Sequence, residues 1–113
     1  MQPTPTVKRA DVERVIRRDF PAELFVQVRA VLDEYEDRER ERVQLAVLKL
    51  AGGSMERLRY EIEGAKRDYR DVLGPAEYPG YTKKMFRMSK LPAKEQQRII
   101  DADWKQYQDW LIR

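Results

Sequence analysis

The chain has 113 residues, with 23 Lys and Arg against 20 Asp and Glu, and contains neither His nor Cys. Its length suits one domain, and its 26 Val, Ile, Leu and Phe residues exceed the roughly 20% level below which chains tend to stay disordered. Without Cys there is no disulfide framework, thiol nucleophile, iron–sulfur cluster or cysteine zinc site; without His, Ser-His-Asp and HExxH chemistry are excluded.

Residues 1–9 carry two prolines and two threonines and read as a flexible leader without the apolar core of a signal peptide. Residues 10–113 then form a single helical domain. The longest uncharged apolar stretch, 43–48, falls far short of the ~20 residues that span a bilayer, so the expectation is a cytoplasmic protein with no membrane partner. Asp11 is the expected N-cap of a first helix to about Phe20, with Val12, Val15, Ile16 and Phe20 on one side. Pro21 ends it and opens a second helix, in which Leu24, Val28, Val31, Leu32 and Tyr35 make a stripe with Phe25 at its shoulder.

Residues 34–42 are almost wholly charged, and their interleaved signs mark a solvated turn. The third helix, about residues 40–51, is apolar around nearly its whole circumference, leaving Arg38, Arg42 and Lys49 on a narrow polar strip. It is therefore the buried central element. A homodimer covering part of helix three or four is one way to shield so much apolar surface.

Gly52-Gly53 supplies a left-handed stop, and Ser54 caps a fourth helix that folds back on the third. Met55, Leu58, Ile62, Ala65, Tyr69, Val72 and Leu73 form its narrow seam, with Arg57, Tyr60, Gly64, Arg67 and Asp71 facing outward. Gly74-Pro75 is the expected end, followed by an ordered loop over 76–81. Thr82 caps a short helix over 83–89, and Pro92 starts a last helix to about Ile112, with Ile100, Trp104, Tyr107 and Leu111 on one face. No stretch alternates with period two, so no sheet is expected. The fold class is all-α: a compact bundle of four main helices plus one or two short ones around the helix at 40–51. Leu45, Leu48, Leu50, Leu58, Ile62, Tyr69 and Trp104 are its expected core.

Several strings occur together: Leu48-Lys49-Leu50-Ala51-Gly52-Gly53, the run from Ala65 to Leu73, Ala76-Glu77-Tyr78-Pro79, and the run from Asp103 to Leu111. In this combination, residues 40–113 resemble a set of small bacterial hypothetical proteins. The resemblance implies a bacterial source and a stand-alone domain, and it carries over no functional residue.

Carboxylates are the remaining acid–base groups. Asp68 and Asp71 lie three apart, and Asp101 and Asp103 flank Ala102. Paired carboxylates can serve glycoside hydrolysis or hold a divalent cation, but helix-surface ion pairing with neighbours such as Arg67 and Arg70 explains them more simply. Catalytic, cofactor and metal residues are thus expected to be absent. Asp103 falls at the edge of the apolar arc, where it needs a partner such as an Arg or a Tyr hydroxyl. Trp110, about 80° from Ile100 at 100° per residue, shares that shoulder with Ile99 and Asp103. It is either a lid over the core or, with those two residues, a contact for a protein partner.

Charge is balanced over residues 1–74 and the last fifteen residues sum to −1, but residues 75–98 carry an excess of four from Lys83, Lys84, Arg87, Lys90, Lys94 and Arg98 against Glu77 and Glu95. This basic segment, 83–98, also holds Met85, Phe86 and Met88. It could contact nucleic acid, or act as a connector whose Phe86 and Met88 plug the core. Arg14, Arg17 and Arg18 on the first helix would enlarge the patch if the fold brought them close. The function expected by elimination is a non-enzymatic protein-interaction or regulatory domain with an unidentified partner or a second copy. The alternative is a nucleic-acid-associated accessory protein using segment 83–98.

Overall fold

The computed structural model describes residues 2–113, and within them the apolar periodicities resolve into seven α-helices, two 3-10 turns and no strand. Helix α1 (Arg9–Asp19) buries Val12, Val15 and Ile16. It starts earlier than Asp11. Lys8 occupies the N-cap position, and Asp11, three residues on, accepts the Lys8 backbone N–H at 2.8 Å, half of a capping box. After Pro21, a 3-10 turn (Ala22–Leu24) leads into α2 (Phe25–Leu32), and Tyr35 is buried just beyond its end.

Helix α3 (Arg40–Ala51) is the central element. Val43, Leu45, Ala46, Val47 and Leu48 are all fully buried, covered by α1 and by the two helices that follow. A dimer is therefore not needed to shield it, and that motive for self-association falls away. Gly52 and Gly53 turn the chain at φ 56° and 85°, and a Cβ on Gly53 would stand 2.8 Å from the Asp19 carbonyl oxygen. Only glycine suits that turn. Ser54 then caps α4 (Met55–Arg67), accepting the Arg57 N–H at 3.1 Å.

The expected long fourth helix is two helices. Asp68 adopts extended backbone (φ −158°, ψ 107°), and its Oδ1 accepts the Arg70 N–H at 3.0 Å to open α5 (Arg70–Glu77). An aspartate that offers the backbone a local acceptor competes with helix continuation. The break re-aims Val72 and Leu73 together at α3. Helix α5 also runs through Gly74-Pro75 rather than stopping there; Pro75 forfeits one backbone hydrogen bond, while Ala76 and Glu77 become buried.

Residues 76–81 are accordingly not a loop. They end α5 and begin α6 (Pro79–Lys84), which is followed by a turn, a 3-10 turn (Met88–Lys90) and α7 (Ala93–Leu111). Helix α7 packs on α5 and α6, and its terminal carbonyls are held by α1: Arg14 Nη1 donates to Leu111 at 2.6 Å and Arg18 Nη1 to Trp110 at 2.7 Å. Cations at a helix C-terminus meet both its unpaired carbonyls and its dipole.

Of the expected core, Leu45, Leu48, Leu58 and Ile62 are buried, whereas Leu50 and Tyr69 are partly buried against it. Within the segment read as a leader, Met1 lies outside the described residues, Pro5 is buried and Val7 packs on the core. No helix among the described residues is long and apolar enough to cross a membrane.

Candidate functional site

The three residues proposed as a partner contact are engaged within the chain. Asp103 is 6% exposed, and its Oδ1 and Oδ2 accept the backbone N–H groups of Gly80 and Tyr81 at 2.8 and 2.9 Å. Those amides belong to the first turn of α6, where no intrahelical acceptor exists. The carboxylate's partner is therefore backbone, not the Arg or Tyr hydroxyl expected. Gly80 is required there, since a Cβ would lie 2.9 Å from Asp103 Oδ1 and 3.4 Å from the half-buried Ile99.

Trp110 is a lid. It is 7% exposed, with the Arg18 guanidinium 5.1 Å from its ring centroid and the Tyr107 ring at 5.5 Å. Trp104, expected in the core, is only half-buried. The exchange has a geometric cause. The buried face of α7 comprises Ile100, Asp103, Tyr107, Trp110 and Leu111, an arc centred about 30° from Ile100 toward Asp103. Trp104 sits about 70° from that centre.

Segment 83–98 is the surface that remains open. Lys83, Lys84, Arg87, Lys90, Lys94 and Arg98 are all exposed. Arg98 pairs with Glu95 at 3.3 Å, but among the described residues the other five have no carboxylate within 4.0 Å. Elsewhere just over half of the cations meet a carboxylate, as in Arg29–Glu13 at 2.9 Å, Arg40–Asp33 at 3.0 Å and Lys66–Glu63 at 2.7 Å, while among the described residues others such as Arg17, Arg38 and Arg67 do not.

The apolar side chains of this segment divide. Met88 is buried, whereas Phe86 is 90% exposed and Met85 48% exposed. Phe86 therefore does not plug the core as the connector reading expected. Helix α6 stops at Lys84, the Arg87 N–H donates to the Lys84 carbonyl at 2.8 Å, and this tight turn presents Phe86 to solvent while Met88 turns inward. Arg14 and Arg18 do not extend the patch. They hold the C-terminal end of α7, whereas Lys94 and Arg98 lie near its N-terminal end, on a helix about 28 Å long.

The remaining acids stay apart. Asp68 is chelated by Arg70, whose side chain and N–H hold its carboxyl below the ordinary range. Asp71 is exposed, and Asp101 accepts from Gln97 Nε2 at 2.8 Å. An open cleft of about 510 Å³ between residues 34–38 and 65–70 carries mixed charge, partly paired through Lys66 and Glu34 at 3.0 Å.

Three buried polar groups had no sequence expectation of their own: Glu61, which accepts from Arg57 Nη2 at 2.9 Å, Glu77 and Gln44. Glu77, with a side chain 4% exposed, forms a bidentate pair with Arg42 through two 2.7 Å hydrogen bonds, and this bonding holds the guanidinium pKa above its ordinary value. Gln44, fully buried within α3, donates to the carbonyls of Leu32 and Tyr35 at 2.8 and 3.3 Å and accepts from Arg9 at 3.1 Å. Gln44 interrupts an otherwise apolar run and Glu77 follows the buried Ala76, the one visible sign of either in the sequence. Comparison with protein-family models, with curated proteins and with solved structures finds no match to this chain.

Proposed function

We propose that the protein is a non-enzymatic interaction domain whose contact surface is segment 83–98 and whose partner is an acidic protein surface with an apolar recess. The observation that carries the reading is Phe86, 90% exposed among cations that have no carboxylate partner. An exposed aromatic supplies area with few rotatable bonds, and the surrounding charge steers an acidic partner and selects against basic ones. The lack of His and Cys and the internal use of Asp68, Asp103 and Glu77 also favour binding over catalysis. A bacterial source is part of the same proposal, and it rests on the resemblance of residues 40–113.

A second reading, single-stranded nucleic acid, has its own support: the patch is mainly lysine, which suits phosphate, and Phe86 offers one base-stacking platform. Titration of the full chain with a labelled, leucine-containing acidic peptide and with a labelled oligothymidylate separates the two. The protein-partner reading expects peptide binding that weakens on Phe86→Ala and on Lys83→Glu/Lys84→Glu. Oligonucleotide binding whose log K falls with log salt at about 0.7 per phosphate contacted selects the second reading. If neither probe responds to either substitution, segment 83–98 is not a contact surface.

A further inference from the structure

We infer that the groove between Tyr78 and α7 is a docking site for an extended, proline-containing segment of a partner protein, and that residues 2–5 of this chain occupy it in cis as a displaceable plug. The occupant's shape follows from covalent chemistry. In Gln2-Pro3-Thr4-Pro5 every residue is a proline or precedes one. Proline fixes φ near −65° and drives the preceding residue toward extended or polyproline backbone, so this stretch is preorganised as a short polyproline-like strand.

The groove matches such a strand. Tyr78, Ile100, Trp104 and Tyr107 line it together with the internally bonded carboxylates Glu77 and Asp103, beside Gln2, Pro3 and Pro5, and Pro5 is buried there. A residual cavity of about 10 Å³ is all that remains beside the buried Pro5, hardly the space of one water, while Pro3 stays exposed at the groove's rim. Aromatic side chains flanking a narrow apolar slot are the means by which polyproline strands are recognised, because the rings pack on proline faces without demanding backbone donors. This explains the half-burial of Trp104: it is a wall of the groove and not core.

The fit in cis is incomplete. No hydrogen bond joins residues 2–5 to the rest of the described chain, so packing alone holds them. Tyr107 Oη and Gln2 Nε2 are buried with no hydrogen-bond partner among the described residues, and Tyr107 as a whole is 1% exposed. Buried polar groups are ordinarily paired, and leaving one unpaired is unfavourable. A longer segment whose carbonyl reaches Tyr107 Oη would bind better than residues 2–5 do. None of the exposed cations of segment 83–98 lines the groove, so this inference stands independently of that surface.

The test uses the ¹⁵N-labelled full chain and a capped pentapeptide, Gln-Pro-Thr-Pro-Thr. In Pro3→Ser/Pro5→Ser, which loosens the plug, the peptide should give saturable shifts at the Trp104 indole N–H and the Tyr78 amide. The unsubstituted chain should bind about tenfold more weakly, as expected when the open groove is about one-tenth populated. A peptide with serine for both prolines should not bind. Absence of saturable shifts in the loosened chain, or equal affinity with and without the plug, overturns the inference. Dimerisation of the unsubstituted chain that is lost in Pro3→Ser/Pro5→Ser would assign the groove to a second copy and overturn the partner assignment. Pro5→Gly alone provides a milder opening, read by the same shifts, should the double variant not fold.

Discussion

The surroundings of α3 and the stretch from α6 to the start of α7 follow opposite rules. Around α3 every apolar side chain from Val43 to Leu48 is covered, and the polar groups that enter are matched at short range, Gln44 by two carbonyls and Glu77 by Arg42. In residues 83–98 every cation but Arg98 stands free of a carboxylate partner among the described residues and Phe86 points into solvent; Met88 is the one buried apolar anchor. The contrast teaches where each kind of selection acts. A region that must exclude water has to satisfy every polar atom it admits, whereas one that leaves apolar and charged groups unsatisfied is stable only because the rest of the domain holds it.

That comparison breaks most sharply at the buried ion pair. Arg42→Ala strands the Glu77 carboxylate and should cost about 3–5 kcal/mol, measured by urea unfolding followed by circular dichroism. If the cost is below 1 kcal/mol, Glu77 is being rehydrated and the α3–α5 interface is looser than it looks. Leu48→Ala, with no polar complication, should cost about 2–5 kcal/mol in the same assay. At the boundary of the two regions, Asp103→Ala removes two charge-assisted hydrogen bonds that hold α6. A loss of about 1.5–3 kcal/mol is expected, with accelerated amide exchange at Gly80 and Tyr81.

Tyr107 gives a pH-dependent test of the buried side. Burial pushes its hydroxyl above the ordinary tyrosine range, so above about pH 10 the unfolded chain gives up a proton that the folded chain retains. Stability should therefore fall by about 1.4 kcal/mol per pH unit from this group, present below pH 10 and lost as pH rises. In Tyr107→Phe that contribution to the alkaline slope should vanish. The smallest effect belongs to the open region: Phe86→Ala should leave unfolding free energy within about 0.5 kcal/mol while abolishing most peptide binding. A larger loss of stability would mean that Phe86 packs in solution and would remove it from the contact surface.

Much of this architecture was legible because it depends on periodicity. The stripe of Val12, Val15 and Ile16, the all-round apolarity of residues 43–48, the Gly52-Gly53 stop and the Ser54 cap all translate directly into local geometry. Misreadings arose where two local rules competed. Asp68 could decorate a long helix or break it, and Gly74-Pro75 could end a helix or ride within one; both choices turned on packing against α3 and α6. The placement of the two tryptophans was misjudged for a related reason. A wheel centred on Ile100 misplaced the buried arc of α7 by about 30°, enough to exchange the roles of Trp104 and Trp110.

Order along the chain and spacing within it were sufficient for an all-α bundle, for the burial of α3 and for the concentration of basic charge in residues 83–98, because each depends on neighbours within a turn or two of helix. The pairing of Arg42 with Glu77 across 35 residues, the capture of the α6 amides by Asp103 and the seating of Pro5 beside Trp104 could come only from the assembled chain. Contacts so remote in sequence leave no periodic trace, since what selects them is the shared shape of surfaces that exist only once the helices have packed.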